Sequence, residues 1–119
     1  MKLQIKYHSN DASFLGDQVM LWASSIKKLE NPPFPFLVIV SVCRYLWQEF
    51  KRSAIVVREE PIDMPIKEYE ALILREVFTD AQSTIKNPYH RRIARQIANR
   101  CDQLLQGATS PPDNTKDIA

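Results

Sequence analysis

The chain has 119 residues and a formal net charge of +2, with 45% hydrophobic and 25% charged residues. This length and apolar fraction predict one globular domain with its own core, and the near-neutral charge gives no indication of a polyanion partner. Only two glycines occur, and they stand alone in the sequence, which excludes a glycine-rich loop that binds phosphate. We predict that residues 1–107 form a single compact domain.

The two cysteines, Cys43 and Cys101, are far apart in the sequence, and each lies in an apolar pattern. This setting is typical of free, buried thiols and not of a disulfide or a CxxC motif. The first residues, Met1–Lys6, alternate in polarity and lack the apolar run of a secretory signal. We therefore expect a reducing, cytoplasmic setting.

The first two elements are a predicted strand and a predicted helix. Polarity alternates along Lys2–His8, which is the period of a half-buried strand. Ser9–Asp11 offers side chains suited to a turn and a helix N-cap. Ala12–Glu30 follows as an amphipathic helix that Asn31–Pro33 ends, with one apolar stripe: Leu15, Val19, Trp22, Ile26 and Leu29.

The most apolar stretch of the chain is Phe34–Phe50. Its β-branched part, Phe36–Val42, would suit a buried strand. The apolar pattern continues too far, however, for a typical strand of about 5–6 residues, and Pro35 suits the first turn of a helix. We therefore predict a buried helix over Pro35–Arg52. Arg44 interrupts a run that is already shorter than the ~20 apolar residues of a membrane span.

A second strand candidate follows this stretch at Ala54–Arg58, although the same residues could end a long central helix. A single strand cannot satisfy its own backbone hydrogen-bonding groups. We therefore predict that Leu3–Tyr7 pairs with Ile55–Arg58 in a small two-stranded sheet. Glu59–Pro65 contains two prolines and is predicted to be a loop.

Two further helices are predicted in the second half of the chain. Ile66–Ile85 has apolar residues at helical spacing, with Pro65 in the first turn. Asn87 is a suitable N-cap and Pro88 a suitable first residue for a fourth helix. The apolar stripe of that helix runs over Tyr89–Leu105.

Gly107 is predicted to cap the fourth helix at its C-terminus, and the polar residues 108–119 are predicted to form a disordered tail. The fold class that these elements predict is mainly α, a compact four-helix domain. A small two-stranded β element could accompany the helices, which would make the domain α+β.

Charged residues separate sharply in the second half of the chain. Acidic residues dominate Glu59–Asp80, whereas Lys86–Arg100 contains only basic ones. One interpretation is that the basic helix over residues 88–105 contacts nucleic acid.

The other interpretation folds the fourth helix back antiparallel to the third. Arg95 would then lie opposite Asp80, and Arg100 opposite Glu76, so that most of the basic field is cancelled. We favour this neutralised arrangement, which still leaves two arginines projecting beside the turn, Arg91 and Arg92.

The chain has more apolar side chains than the predicted helix stripes require to form a core. Such an excess is often found at a protein interface. Since no catalytic, metal-binding or cofactor-binding motif is present, we predict a non-enzymatic interaction protein: an adaptor, an assembly factor or a subunit of a larger complex. The expected partner is another protein or a second copy of this chain, not a membrane. The candidate partner-binding residues are Phe34, Phe36, Trp47, Leu74, Phe78, Arg91, Arg92 and Arg95.

Two other functions stay open from the sequence. One is a nucleic-acid-binding protein that uses the basic helix over residues 88–105. The other is a small enzyme whose site is assembled from scattered residues and is therefore invisible in the sequence. We expect neither a cofactor nor a metal.

Overall fold

A computed structural model describes residues 3–26, 35–56 and 58–109. The described residues form four helices and a two-stranded antiparallel sheet, which confirms the predicted mainly α fold class with a small β element. In chain order the elements are β1 (Gln4–Tyr7), α1 (Ser9–Ser25), α2 (Phe36–Ile55), β2 (Ile62–Pro65), α3 (Glu68–Ala81) and α4 (Pro88–Thr109).

The apolar central stretch is helical, as its length predicted. Within α2 four side chains are fully buried at spacings of four, three and four residues, Ile39, Cys43, Leu46 and Phe50. This spacing places them on one face of the helix. The face packs chiefly against α1, whose own buried stripe includes Leu15, Val19 and Trp22.

The predicted partner of the first strand was wrong. β1 pairs with β2 in the register Gln4↔Pro65 to Tyr7↔Ile62, and not with Ile55–Arg58, because α2 continues as helix through Ile55. The residues that do pair had been predicted to be a loop. A proline is tolerated at the end of an edge strand. Met64 is buried between two exposed neighbours, which is the alternation expected of a strand.

The start of α4 is confirmed, and the start of α3 is corrected. The Asn87 side-chain oxygen accepts a hydrogen bond from the backbone N–H of Tyr89 at 2.9 Å, so it caps α4. Pro65 lies in β2 and not in the first turn of α3. That helix begins after Lys67, whose backbone N–H donates to the Glu70 carboxylate at 2.7 Å.

Two helix boundaries also differ from the prediction. α1 begins at Ser9, earlier than predicted, and α4 runs through Gly107 to Thr109, so this glycine does not cap the helix. The rest of the predicted tail lies outside the described residues. No helix in the described part of the chain is both long and apolar enough to cross a membrane.

Two helical pairs make up the body of the molecule: α1 packs on α2, and α3 packs on α4. In the first pair Gly16 of α1 faces α2 at short range: an added Cβ would lie 3.3 Å from the Cβ of Phe50 and 3.5 Å from the side chains of Trp47 and Lys51. Glycine therefore allows α1 and α2 to approach within a distance that a larger residue would prevent.

Replacing Gly16 with leucine should lower the free energy of unfolding by about 1–3 kcal/mol, because an overpacked side chain forces the two helices apart. Urea denaturation measures the change. Ser24→Leu, at an exposed position of the same helix, is the control and should stay within about 0.5 kcal/mol of wild type. Equal stability of the Gly16 variant and wild type would contradict the close α1–α2 contact.

Candidate interaction surfaces

The face of α2 that points away from α1 carries exposed apolar side chains. Leu37 is 78% exposed, Val38 47% and Tyr45 49%. Together with the start of α3, this face forms an open groove of about 520 Å³. We call it the α2 groove, and its lining residues are Leu37, Val38, Ser41, Val42 and Tyr69.

Charged side chains of both signs lie on α2 and at the start of α3. Arg44 is exposed and forms no ion pair with any carboxylate of the described residues. Arg52 is paired with Glu49 of its own helix at 3.3 Å, and the Lys67 ammonium lies 5.8 Å from the centre of the Tyr69 ring. The groove is therefore lined mainly by apolar side chains, and Arg44 and Lys67 are cations without an ion pair among the described residues.

Tyr45 stands at the border between the apolar and charged parts of this face. Burial of its hydroxyl raises its pKa above the usual value, and the nearby carboxylates of Glu49 and Glu70 raise it further. The phenol therefore stays neutral at physiological pH and can act as a hydrogen-bond donor or acceptor.

The predicted apolar contact residues do not lie together on one exposed surface. Leu74 and Phe78 are fully buried in the core, so neither is available to a partner, and Trp47 is half-buried beside Gly16. Phe34 and the side chain of Phe36 lie outside the described part of the chain. The surface that sequence reasoning missed is the outer face of α2, which a helical projection of the buried positions would have shown.

A second surface is the exposed face of α4, where Arg92, Arg95 and Arg100 point to solvent. The predicted neutralisation by α3 was wrong. Asp80 accepts a hydrogen bond from the Trp22 indole N–H at 3.2 Å, and the ion pair between α3 and α4 joins Arg75 to Asp102, also at 3.2 Å.

Arg91, by contrast, has a structural role. Its guanidinium donates two hydrogen bonds to the backbone carbonyl of Ile85, from Nε at 3.1 Å and from the terminal NH2 at 2.8 Å. These bonds hold the connection between α3 and α4. The candidate contact residues of α4 are therefore the other three arginines.

The basic face of α4 continues onto β1. A groove of about 400 Å³ lies between the two elements, and we call it the α4–β1 groove. Two amide side chains, two cationic side chains and one apolar side chain line it: Gln4, Gln96, Lys6, Arg100 and Ile97. Lys6 also lies 3.9 Å from Asp63 of β2, a long and exposed ion pair of the kind that contributes little stability.

A partly buried hydrogen bond joins the first turn of α4 to the first turn of α1. The Tyr89 hydroxyl donates to the Asp11 carboxylate at 2.7 Å, and Asp11 is only 4% exposed. Beside this bond the His90 ring stacks on Phe14, with centroids 4.2 Å apart. These contacts set the orientation of the basic face relative to the rest of the fold.

Neither thiol is suited to nucleophilic chemistry. Cys43 and Cys101 are free and buried, and burial raises the pKa of each to about 12. Since the thiolate is the reactive form, both groups stay protonated and inert at neutral pH. Within the described ranges no three His, Cys, Asp or Glu residues are arranged to hold a metal ion.

Comparisons of the chain with protein-family models, with curated proteins and with solved structures find no match. Two surfaces of the described residues are open to a partner. One is mainly apolar, and the other is polar and lies beside three exposed arginines of α4.

Tyr89→Phe should lower the free energy of unfolding by about 1–3 kcal/mol, because the buried Asp11 carboxylate loses a hydrogen-bond donor. Denaturant titration at neutral pH measures this loss. Tyr69→Phe is the matched control, since no described residue hydrogen-bonds its hydroxyl, and it should be close to neutral. Equal effects of the two substitutions would show that the bond to Asp11 contributes no stability.

The effect of Tyr89→Phe should also depend on pH. The hydrogen bond to Asp11 raises the pKa of Tyr89, so the folded state holds this proton more tightly than the unfolded state. The stabilisation is complete below the unfolded-state pKa of about 10 and is lost as pH rises through the higher folded-state pKa. The difference between wild type and Tyr89→Phe should therefore shrink in alkali, and a difference that grows would contradict this assignment.

Proposed function

We propose that this protein is a non-enzymatic interaction protein, acting as an adaptor, an assembly factor or a subunit, that binds a helical segment of a partner protein in the α2 groove. The observation that carries the proposal is the exposure of Leu37 and Val38 on a helix whose opposite face is fully buried. Covering apolar surface yields about 25 cal/mol for each Å² removed from water. An open apolar groove beside a helix suits the apolar face of a second helix.

The charges around the groove define the partner further. Arg44 is exposed and unpaired among the described residues, and Lys67 lies beside Tyr69. A partner helix with apolar residues on one face and acidic residues along its flanks would match both features. Complementary charge of this kind accelerates association and fixes the orientation of the bound segment.

A second copy of this chain matches the groove less well. Self-association through the exposed face of α2 would bring the unpaired Arg44 of one copy towards that of the other. Glu49, the acidic residue of α2, is already paired with Arg52. Like charges brought together at an interface oppose binding, so we assign the groove to a different, acidic protein.

The compartment proposed for this interaction is the cytoplasm. The support is the state of Cys43 and Cys101, which are both free thiols in the core. Free buried thiols are typical of proteins that fold in a reducing environment.

The test is affinity purification from the native cells with wild type, Leu37→Asp and Leu21→Asp, followed by titration of the recovered partner. Leu21 is the matched control, because it is 63% exposed but lies on α1. Leu37→Asp should weaken binding by about 2 kcal/mol or more, as expected for a central contact residue, and Leu21→Asp should bind as wild type does. All three proteins should melt alike, since both positions are exposed.

The acidic character of the partner has its own test. Arg44→Glu should slow association with the recovered partner, because a repulsive charge replaces an attractive one. The segment protected in the complex should be helical and acidic. Equal loss of binding in the Leu21 and Leu37 variants would place the site elsewhere. A wild-type dimer that Leu37→Asp converts to a monomer would make a second copy the occupant and overturn the assignment to an acidic partner.

A further inference from the structure

We propose that the α4–β1 groove binds single-stranded nucleic acid, at a site separate from the α2 groove. The proposal does not depend on the partner protein, because α2 packs chiefly on α1 whereas α4 packs chiefly on α3. Its basis is the chemistry of the groove: two amides, two cations and an apolar floor in one concave surface.

Two arginines on this surface have no ion pair within the described residues. Neither Arg92 nor Arg100 lies within ion-pair distance of a carboxylate in the described ranges, and Lys6 of the groove meets Asp63 only at 3.9 Å. Both guanidiniums are therefore available to an anionic ligand.

The side chains are spaced for a chain of phosphates. Arg92, Gln96 and Arg100 follow one another at intervals of four residues, so they form a row along one side of α4. With a rise of 1.5 Å per residue the row extends about 12 Å, which spans several nucleotides of a strand. Arginine binds phosphate oxygens through two parallel hydrogen bonds, and a glutamine amide can bind a phosphate or a base edge.

The groove also offers surfaces for bases. Ile97 is an apolar contact on its floor. At the start of the row the Arg92 guanidinium lies 5.5 Å from the centre of the Tyr89 ring, and the hydroxyl of that ring is fixed by Asp11. A stacked arginine–tyrosine pair gives a planar platform of the kind on which unpaired bases stack.

The shape favours a single strand over a duplex. A recognition helix that enters a DNA groove must project from its domain. Here α4 is one wall of a groove whose other wall is β1, with Gln4 and Lys6 facing Gln96 and Arg100 across it. A flexible single strand can follow such a concave path, with its backbone on the cations and its bases against the floor.

The test measures binding of fluorescent single-stranded RNA and DNA oligonucleotides, and of a duplex of equal length, by anisotropy at several salt concentrations. Wild type should bind at least one single strand more tightly than the duplex. The variant Arg92→Ala/Arg100→Ala should bind more weakly. Its slope of log K against log salt should be lower by about 0.7 for each phosphate of a single strand that the missing arginines would neutralise.

The matched control is Arg58→Ala/Lys86→Ala, which removes the same charge from exposed positions outside the row. Neither residue lines the α4–β1 groove, and neither lies on α4. The control should keep both the affinity and the salt slope of wild type. Equal loss in the two double variants would mean attraction by net charge alone and would overturn the site. Tighter binding of the duplex, or no binding of any oligonucleotide at 50 mM salt (about the low end at which such contacts are measured), would also overturn it.

Discussion

The contact between α1 and α2 is the constraint on which the rest of the structure depends. The missing side chain at Gly16 lets the two helices approach closely, with Phe50 directly opposite. This contact buries one face of the most apolar segment of the chain. Near its N-terminus α2 carries apolar side chains on its outer face as well, and α1 covers only the inner face. The exposed Leu37 and Val38 are therefore a direct consequence of how α2 is buried.

The distribution of carboxylates decides what the second surface can bind. The formal net charge of +2 suggests a nearly neutral protein, but charge acts locally. Asp80 and Asp11 accept hydrogen bonds from the neutral side chains of Trp22 and Tyr89. Because each of these carboxylates is held by a neutral donor, it does not pair with an arginine of α4. Three exposed arginines of α4, Arg92, Arg95 and Arg100, are thus left without an ion pair among the described residues.

The elements of the fold followed from the sequence far better than their contacts. The length of the central apolar run predicted helix α2, and Asn87-Pro88 predicted where α4 begins, because both signals are local. β2 was missed because Pro61 precedes it, Pro65 is its last residue, and it is only four residues long. The packing of α4 back onto α3 was also predicted. The ion pairs between the two helices were predicted wrongly, because Asp80 accepts a hydrogen bond from Trp22 of α1 and does not pair with Arg95.

The candidate sites were also hard to predict, because they depend on contacts between distant residues. Composition indicated an excess of apolar side chains but not which of them are buried in the core. Leu74 and Phe78 were therefore assigned to a surface although they are fully buried. The bond between Asp11 and Tyr89 joins residues 78 positions apart. No local pattern predicts such a pair, and yet it sets where the basic face lies.

α1 links the two surfaces. It contacts α2 at Gly16, and its first turns hold α4 through the hydrogen bond of Asp11 and the stacking of Phe14 on His90. The first contact is a close helix packing, and the second pairs the buried Asp11 with the partly exposed Tyr89. The α2 groove and the α4–β1 groove are therefore both positioned by contacts with α1. A protein that held an acidic helix in one and a nucleic-acid strand in the other would place the two ligands at a defined distance without a hinge.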